Sequence, residues 1–320
     1  MKNRLFAFLF ALVASIYTLY AGSAKCGDNV TWELDIESRT ITISGAGPMT
    51  DWTYDSESPF NYLKLIISNV IVNEGVTTIG DRAFFQCQEI STVTLPNSIT
   101  KIGKHAFYAC TKLTTITLPE GAATIGEYAF YSCEALVHIK IPNSITNIGN
   151  AAFLGCNNVK EPVYNQRIFL RCPTSYSGIY NIPEGIEQIN DYAFAGCRSL
   201  TLVTFPNSVK DIGIQAFELC SNLRAIDIPD GITIIKHGTF AECHTLRLVT
   251  IPNSVTQIDD AAFLMCTDLW SITIPNNVAR IGDYAFYECA NLKSATIPVL
   301  TDIGKEAFKG CPNLQITYVR

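Results

Sequence analysis

The chain is poor in charge. Only 16% of its 320 residues are Asp, Glu, Lys or Arg, and 29 acidic residues outnumber 23 basic ones. Displacing counterions from a phosphate backbone needs a basic face, so this balance argues against nucleic-acid binding. Histidine is scarce: His105, His138, His237 and His244 are scattered, and neither Cys-x-x-Cys nor His-Glu-x-x-His occurs, which leaves no zinc signature. Gly-x-Ser-x-Gly is missing, as is a glycine loop able to cradle phosphate. We therefore expect no catalytic residue, no cofactor and no metal. Beyond residue 24 no apolar run approaches the ~20 residues that span a bilayer, so no transmembrane segment is expected in the mature chain.

What is abundant is apolar residues, 48% of the chain, which excludes disorder for most of it. Lys2 and Arg4 precede an apolar run from Leu5 to Tyr20, followed by Ala21, Gly22, Ser23 and Ala24. A basic end, an apolar stretch and a small-residue cleavage site are the order of a secretory signal peptide, here residues 1–24. An uncleaved anchor is the alternative. A lipid on Cys26 is a further one, against which Lys25 stands where a small residue belongs. The mature chain is expected to be secreted or at the cell surface.

Internal repeats dominate the remainder. IGDRAFFQC (Ile79 to Cys87), IGKHAFYAC, IGEYAFYSC and IGNAAFLGC are followed, after a gap, by six more copies ending at Cys197, Cys220, Cys243, Cys266, Cys289 and Cys311. All ten keep Ile, Phe and Cys in the same columns. Each copy continues into a block such as LTTITLPEG, where Leu113, Ile116 and Leu118 alternate at strand spacing. The proline after it lacks an amide hydrogen and ends the strand. The Ala-Phe-x-x-Cys stretch is then expected to return as a short helical or 3₁₀ arm with its apolar side chains inward.

One such coil cannot bury its own apolar side, but stacked coils set like residues above like and share a core. The expected fold is an α/β solenoid of about ten 23-residue coils plus one irregular coil, each with one short parallel strand. Its spine is the column Phe84, Phe107, Phe130, Phe153, Phe194, Phe217, Phe240, Phe263, Phe286 and Phe308. Val30 to Asp35 and Thr40 to Ser44 read as a β-hairpin. With Trp32, Met49, Trp52, Phe60 and Tyr62 it would cover the open first coil. The expected organisation is a signal peptide at 1–24, an N-terminal β cap at 25–69, coils at 70–159, an irregular insertion at 160–178, and coils with a last strand at 179–320.

The alternation of I-G-x-x-A-F-x-x-C with L-x-x-I-x-I-P-N-S-V, over about residues 70 to 314, resembles the BspA-like leucine-rich repeats of bacterial surface and secreted proteins, which also abound in some parasitic protists. The segment Cys26 to Met49 resembles the leader that often precedes such arrays, and Arg167 to Ile186 an interruption the family tolerates. The resemblance implies a leucine-rich repeat fold and adhesion, commonly to host matrix proteins or to other cells.

Ten of the twelve cysteines share the repeat column, and neighbours there project in parallel, so they read as buried free thiols. Cys26 and Cys172 lie outside it and are the natural candidates for a bridge, although several coils apart. The column Asp81, Glu127, Asp191, Asp260 and Asp283 could hold catalytic carboxylates. Lys104, Asn150, Ile214, His237 and Lys305 interrupt it, and a solvated face is the reading adopted.

The outward column of the strands is more informative: Ile71, Thr94, Thr117, Lys140, Asn181, Thr204, Asp227, Thr250, Thr273 and Thr296. Threonine suits a strand and its hydroxyls pair across neighbours. The same surface is a candidate docking face, with specificity from Lys140, Asn181 and Asp227 and from flanking His138, Leu202, Arg224, Arg247 and Trp270. The function expected is that of a noncatalytic exported binding protein engaging an extracellular protein or a glycan. A polysaccharide-active enzyme on a parallel β-helix, using Lys160, Glu161, Arg167 and Arg171 at the interruption, and a passive surface spacer are the alternatives.

Overall fold

Residues 24–320 are described by the computed structural model, so all of the predicted signal peptide but its last residue, Ala24, lies outside the described residues. The strand block of each repeat forms a triplet whose middle residue points inward. Thr115–Thr117 pairs in parallel with His138–Lys140, setting Ile116 opposite Ile139 and Thr117 opposite Lys140. The same register joins Ala225–Asp227 to Leu248–Thr250 and Ser271–Thr273 to Ser294–Pro298. The result is a β-solenoid of about 11 turns.

Two expectations need correction. Each coil carries a second strand, not one: Lys101–Ile102 pairs in parallel with Thr124–Ile125, and Gln257–Ile258 with Arg280–Ile281. Two residues are too few to display an alternating pattern. The Ala-Phe-x-x-Cys stretch, moreover, is a run of turns and not a helix, and the only helical segment among the described residues is the 3₁₀ turn Pro59–Leu63 in the cap. Left-handed residues punctuate each run, Arg82 (φ 55°) and Gln86 (φ 57°) in the first. They break any helical ladder. The amides of Ala83, Phe85 and Cys87 close turns within the coil, while those of Arg82, Phe84 and Gln86 donate to Lys104, Ala106 and Tyr108 of the next. Backbone polar groups are thus satisfied along the stack as well as within each turn.

Aromatic rings form the spine of the core. From Phe60 to Phe153 and from Phe169 to Phe308, consecutive rings stack with centroids 4.8 to 5.4 Å apart. Phe60 and Phe169 extend the column read from the repeats. The column is interrupted between Phe153 and Phe169, where the core divides into two groups. Both ladders break there too. The second ladder resumes as an antiparallel pair, Val163–Tyr164 with Ile168–Arg171. Polar groups bridge the joint: Asn165 Nδ2 donates to Pro142 O and Ile145 O, while its Oδ1 accepts from the amides of Arg167 and Ile168. Arg171, also buried, donates to Tyr192 O and Asn157 Oδ1.

At the first end, Val30–Asp35 and Thr40–Gly45 form an antiparallel hairpin that continues in parallel into Asn69–Val72. Trp32 and Trp52 meet the Phe60 ring edge-on, whereas Tyr62 points to solvent. At the other end Gln315–Val319 pairs with Ser294–Pro298.

Cysteine thiols lie inside the turn runs and donate to the phenylalanine carbonyl one coil back, as Cys220 does to Phe194 and Cys243 to Phe217, both at 3.2 Å. Burial pushes Cys87 and Cys156 up to about 12, so these thiols stay protonated and unreactive. Cys172 departs from its expected place. The shortened coil seats its amide on Ala193 O, as Phe194 sits on Ala216 O, and the Cys197 thiol donates to Pro173 O at 3.4 Å. The adjacent Cys197 thiol, and then burial, push the Cys172 thiol up. It belongs to the second core group and Cys26 to the first, so the two are not bridged.

Candidate functional site

Because the middle residue of each triplet turns inward, the residues on either side of it form two outward columns. One is the column read from the sequence, running through Thr94, Thr117 and Lys140 and, beyond the joint, through Asn181, Thr204, Asp227, Thr250 and Thr273. Thr296 continues it but is partly covered. Part of this column is occupied with itself. Thr204 Oγ1 donates to Asn181 Oδ1 at 2.7 Å, and Thr250 Oγ1 to Asp227 Oδ1 at 2.6 Å, which are cross-strand pairs.

The other outward column changes character along the molecule. Before the joint it holds Thr92, Thr115 and His138; after it come Ile179, Leu202, Ala225 and Leu248, aligned on consecutive coils. Leu248 is 66% exposed and Ile179 56%. Of these four, only Leu202 is among the residues expected to flank the threonine column. Beside this stripe stand Arg224, Arg247, Trp270 and Lys293, one per coil, with the Arg247 amide donating to Arg224 O and the Lys293 amide to Trp270 O. Lys293 Nζ lies 3.8 Å from the Trp270 ring centroid, and Arg247 faces Asp268 at 3.4 Å. An outward apolar stripe, exposed at Ile179 and Leu248 and edged by Arg and Trp, has the composition of a protein-binding hot spot.

The fold and its repeat can be set beside known proteins. The family model described as a BspA type leucine-rich repeat region, in six copies, matches residues 56–173 and 187–315. The chain belongs to the BspA-type leucine-rich repeat family. Among solved structures, a leucine-rich repeat protein from Eubacterium ventriosum is 22% identical, with 92% of this chain and 95% of that one covered and a TM-score of 0.58. The pneumococcal vaccine antigen PcpA is 16% identical, with 93% and 95% covered and a TM-score of 0.56. Comparison with curated proteins gives no match.

In this BspA-type array the acidic column proves to be part of the scaffold. Asp81 Oδ1 accepts from the Lys104 amide at 2.8 Å, Asp191 from Ile214 at 2.7 Å, Asp260 from Asp283 at 2.9 Å and Asp283 from Lys305 at 2.8 Å. Each carboxylate caps the backbone one coil further on. Burial raises the Asp191 pKa while the Ile214 N–H opposes it. The glycine of Ile-Gly fits the same contact: a Cβ at Gly213 would lie 2.4 Å from the Asp191 amide nitrogen. Asp191→Ala is expected to cost about 1–3 kcal/mol by stranding the Ile214 amide. Denaturant titration checks it, and an unchanged midpoint would show that the cap contributes nothing.

The interruption does not assemble a catalytic cluster. Lys160 and Glu161 are exposed, Arg167 pairs with Glu187 at 2.8 Å, and Arg171 is buried. Among the described residues no three metal-capable side chains come together, and no helix is long and apolar enough to cross a membrane.

Proposed function

We propose that this chain is a noncatalytic, exported, adhesin-like protein that engages an extracellular protein, on host matrix or another cell, through its strand face. The observation that carries this reading is the outward apolar stripe Ile179, Leu202, Ala225 and Leu248, exposed at Ile179 and Leu248 and half-buried between them, beside Arg224, Arg247 and Trp270. A partner suited to it offers apolar side chains ringed by acidic ones. The columns Thr94, Thr117, Lys140, Thr273 and Thr296, with His138, extend the face into a rim where affinity grows by area. Membership of the BspA-type family supports the reading.

Binding of the full chain to a panel of matrix proteins tests it. Saturable binding that falls at least about tenfold in Leu248→Asp and Trp270→Ala, and again in a variant with Thr117, Thr204 and Thr250 changed to Arg, is the expected result. Failure to bind any member points to the spacer reading, and cleavage of a polysaccharide to the enzyme.

A further inference from the structure

A second surface lies on the turn face, away from the strand triplets. Bulky rings stand there in two columns over the first coils: Phe85 stacks on Tyr108 (4.9 Å) and Tyr108 on Tyr131 (4.8 Å), while His105 stacks on Tyr128 (5.2 Å). Burial and the nearby Arg82 charge lower the His105 pKa, so this block is neutral. Its end against the cap is different. The Arg82 guanidinium is held between two rings, its carbon 3.6 Å from the Tyr54 centroid and 4.0 Å from that of Phe85. Among the described residues that guanidinium donates no hydrogen bond and enters no ion pair. Its planar fork of N–H donors is fixed in direction and uncommitted.

A cleft of about 190 Å³ opens at this point, walled by Tyr54, Glu57, Asn61, Lys64, Arg82 and Gln86. Leu, Ile, Val and Met take no part in its lining. Glu57 already accepts from Asn61 Nδ2 at 2.8 Å, and Lys64 has no ion-pair partner among the described residues, so two cations face one engaged carboxylate. Tyr54, 76% exposed, supplies a ring surface.

From this arrangement we propose that the cleft between cap and first coils binds a carboxylate-bearing sugar residue, such as a uronic or sialic acid at the end of a glycan. The sugar carboxylate takes the Arg82 fork, which suits a bidentate acceptor. The apolar C–H face of the ring lies on Tyr54, and the hydroxyl rim meets Asn61, Gln86 and Lys64. A hydrophobic peptide anchor would find no aliphatic wall here. This site is independent of the strand face and adds a second class of ligand.

The test is titration of the full chain with glucuronic acid, N-acetylneuraminic acid, glucose and acetate, read by saturation-transfer NMR and calorimetry. Saturable binding of a sugar acid, at least about tenfold weaker for glucose and for acetate, is expected. Arg82→Gln and, separately, Tyr54→Ala should each weaken it about tenfold or more, with circular dichroism confirming the fold. Leu248→Asp on the strand face should leave it unchanged. Equal binding of glucose or acetate, indifference to both cleft variants, or no saturable binding of either acid would overturn the proposal. None of these results bears on the protein-binding assay of the strand face.

Discussion

Replacing Phe217 by alanine is expected to destabilise the protein by about 3–5 kcal/mol, the usual cost of removing a buried aromatic ring. Phe217 is fully buried, stacked on Phe194 at 4.8 Å and on Phe240 at 5.4 Å, with the Phe205 ring edge-on at 6.0 Å. Turn-face amides hold the neighbouring coils at hydrogen-bonded spacing, Phe194 on Ala216 O and Phe217 on Thr239 O, so they cannot close in to fill the void. The loss therefore combines transfer and cavity terms with two stacking contacts worth roughly 0.5–1.5 kcal/mol each. Denaturant unfolding measures it. Phe308→Ala, at the partly open end of the column, should cost distinctly less. An unchanged stability for Phe217→Ala would contradict the stacking register itself.

Asn165→Ala is expected to cost about 2–4 kcal/mol, from four hydrogen bonds at roughly 1 kcal/mol each. Asn165 uses both its donors and both its acceptor sites, tying Pro142 and Ile145 on one side of the joint to Arg167 and Ile168 on the other. No water can replace these partners easily, because the side chain is only 8% exposed. The joint also lacks a continuous ring column, so the staple carries much of the coupling between the two core groups. Calorimetry of the variant should show the single unfolding transition resolving into two. A single transition at the original temperature would mean that the coupling lies elsewhere, with Arg171 the next residue to change.

Much of this architecture was legible because repetition turns weak local signals into columns. The inward Ile, Phe and Cys, the prolines and the outward Thr94, Thr117 and Lys140 fell where periodicity placed them. Side chains three apart suit a helical turn and a run of reverse turns equally well, so the arm was misread. Most left-handed positions carry bulky residues such as Arg82, His105, Tyr128 and Gln215, and the glycines Gly155, Gly196, Gly238 and Gly310 are too few to announce the backbone. The second ladder is two residues wide. The role of Asp191 depends on an amide 23 residues away, visible only once the coils are stacked. Cys172 did leave a trace, since Phe169-x-x-Cys172 repeats the spacing of Phe194-x-x-Cys197, but the shortened coil around it disguised the match. Ile179 and Leu248 stood in plain view two residues before Asn181 and Thr250.

Hydrogen bonds of both ladders, and those of the turn face, run along the long axis of the stack. Load applied between the two ends thus meets them one rung at a time, as in a zipper, and never many in parallel as in a sheared sheet. Each freed coil of 23 residues would release roughly 80 Å of chain, at ~3.3–3.6 Å per residue. The terminal coils, where Phe308 and Leu314 are only half-buried, and the joint beside Asn165 are the points of least resistance. A molecule built this way behaves under tension as an extensible tether that yields gradually and rewinds coil upon coil.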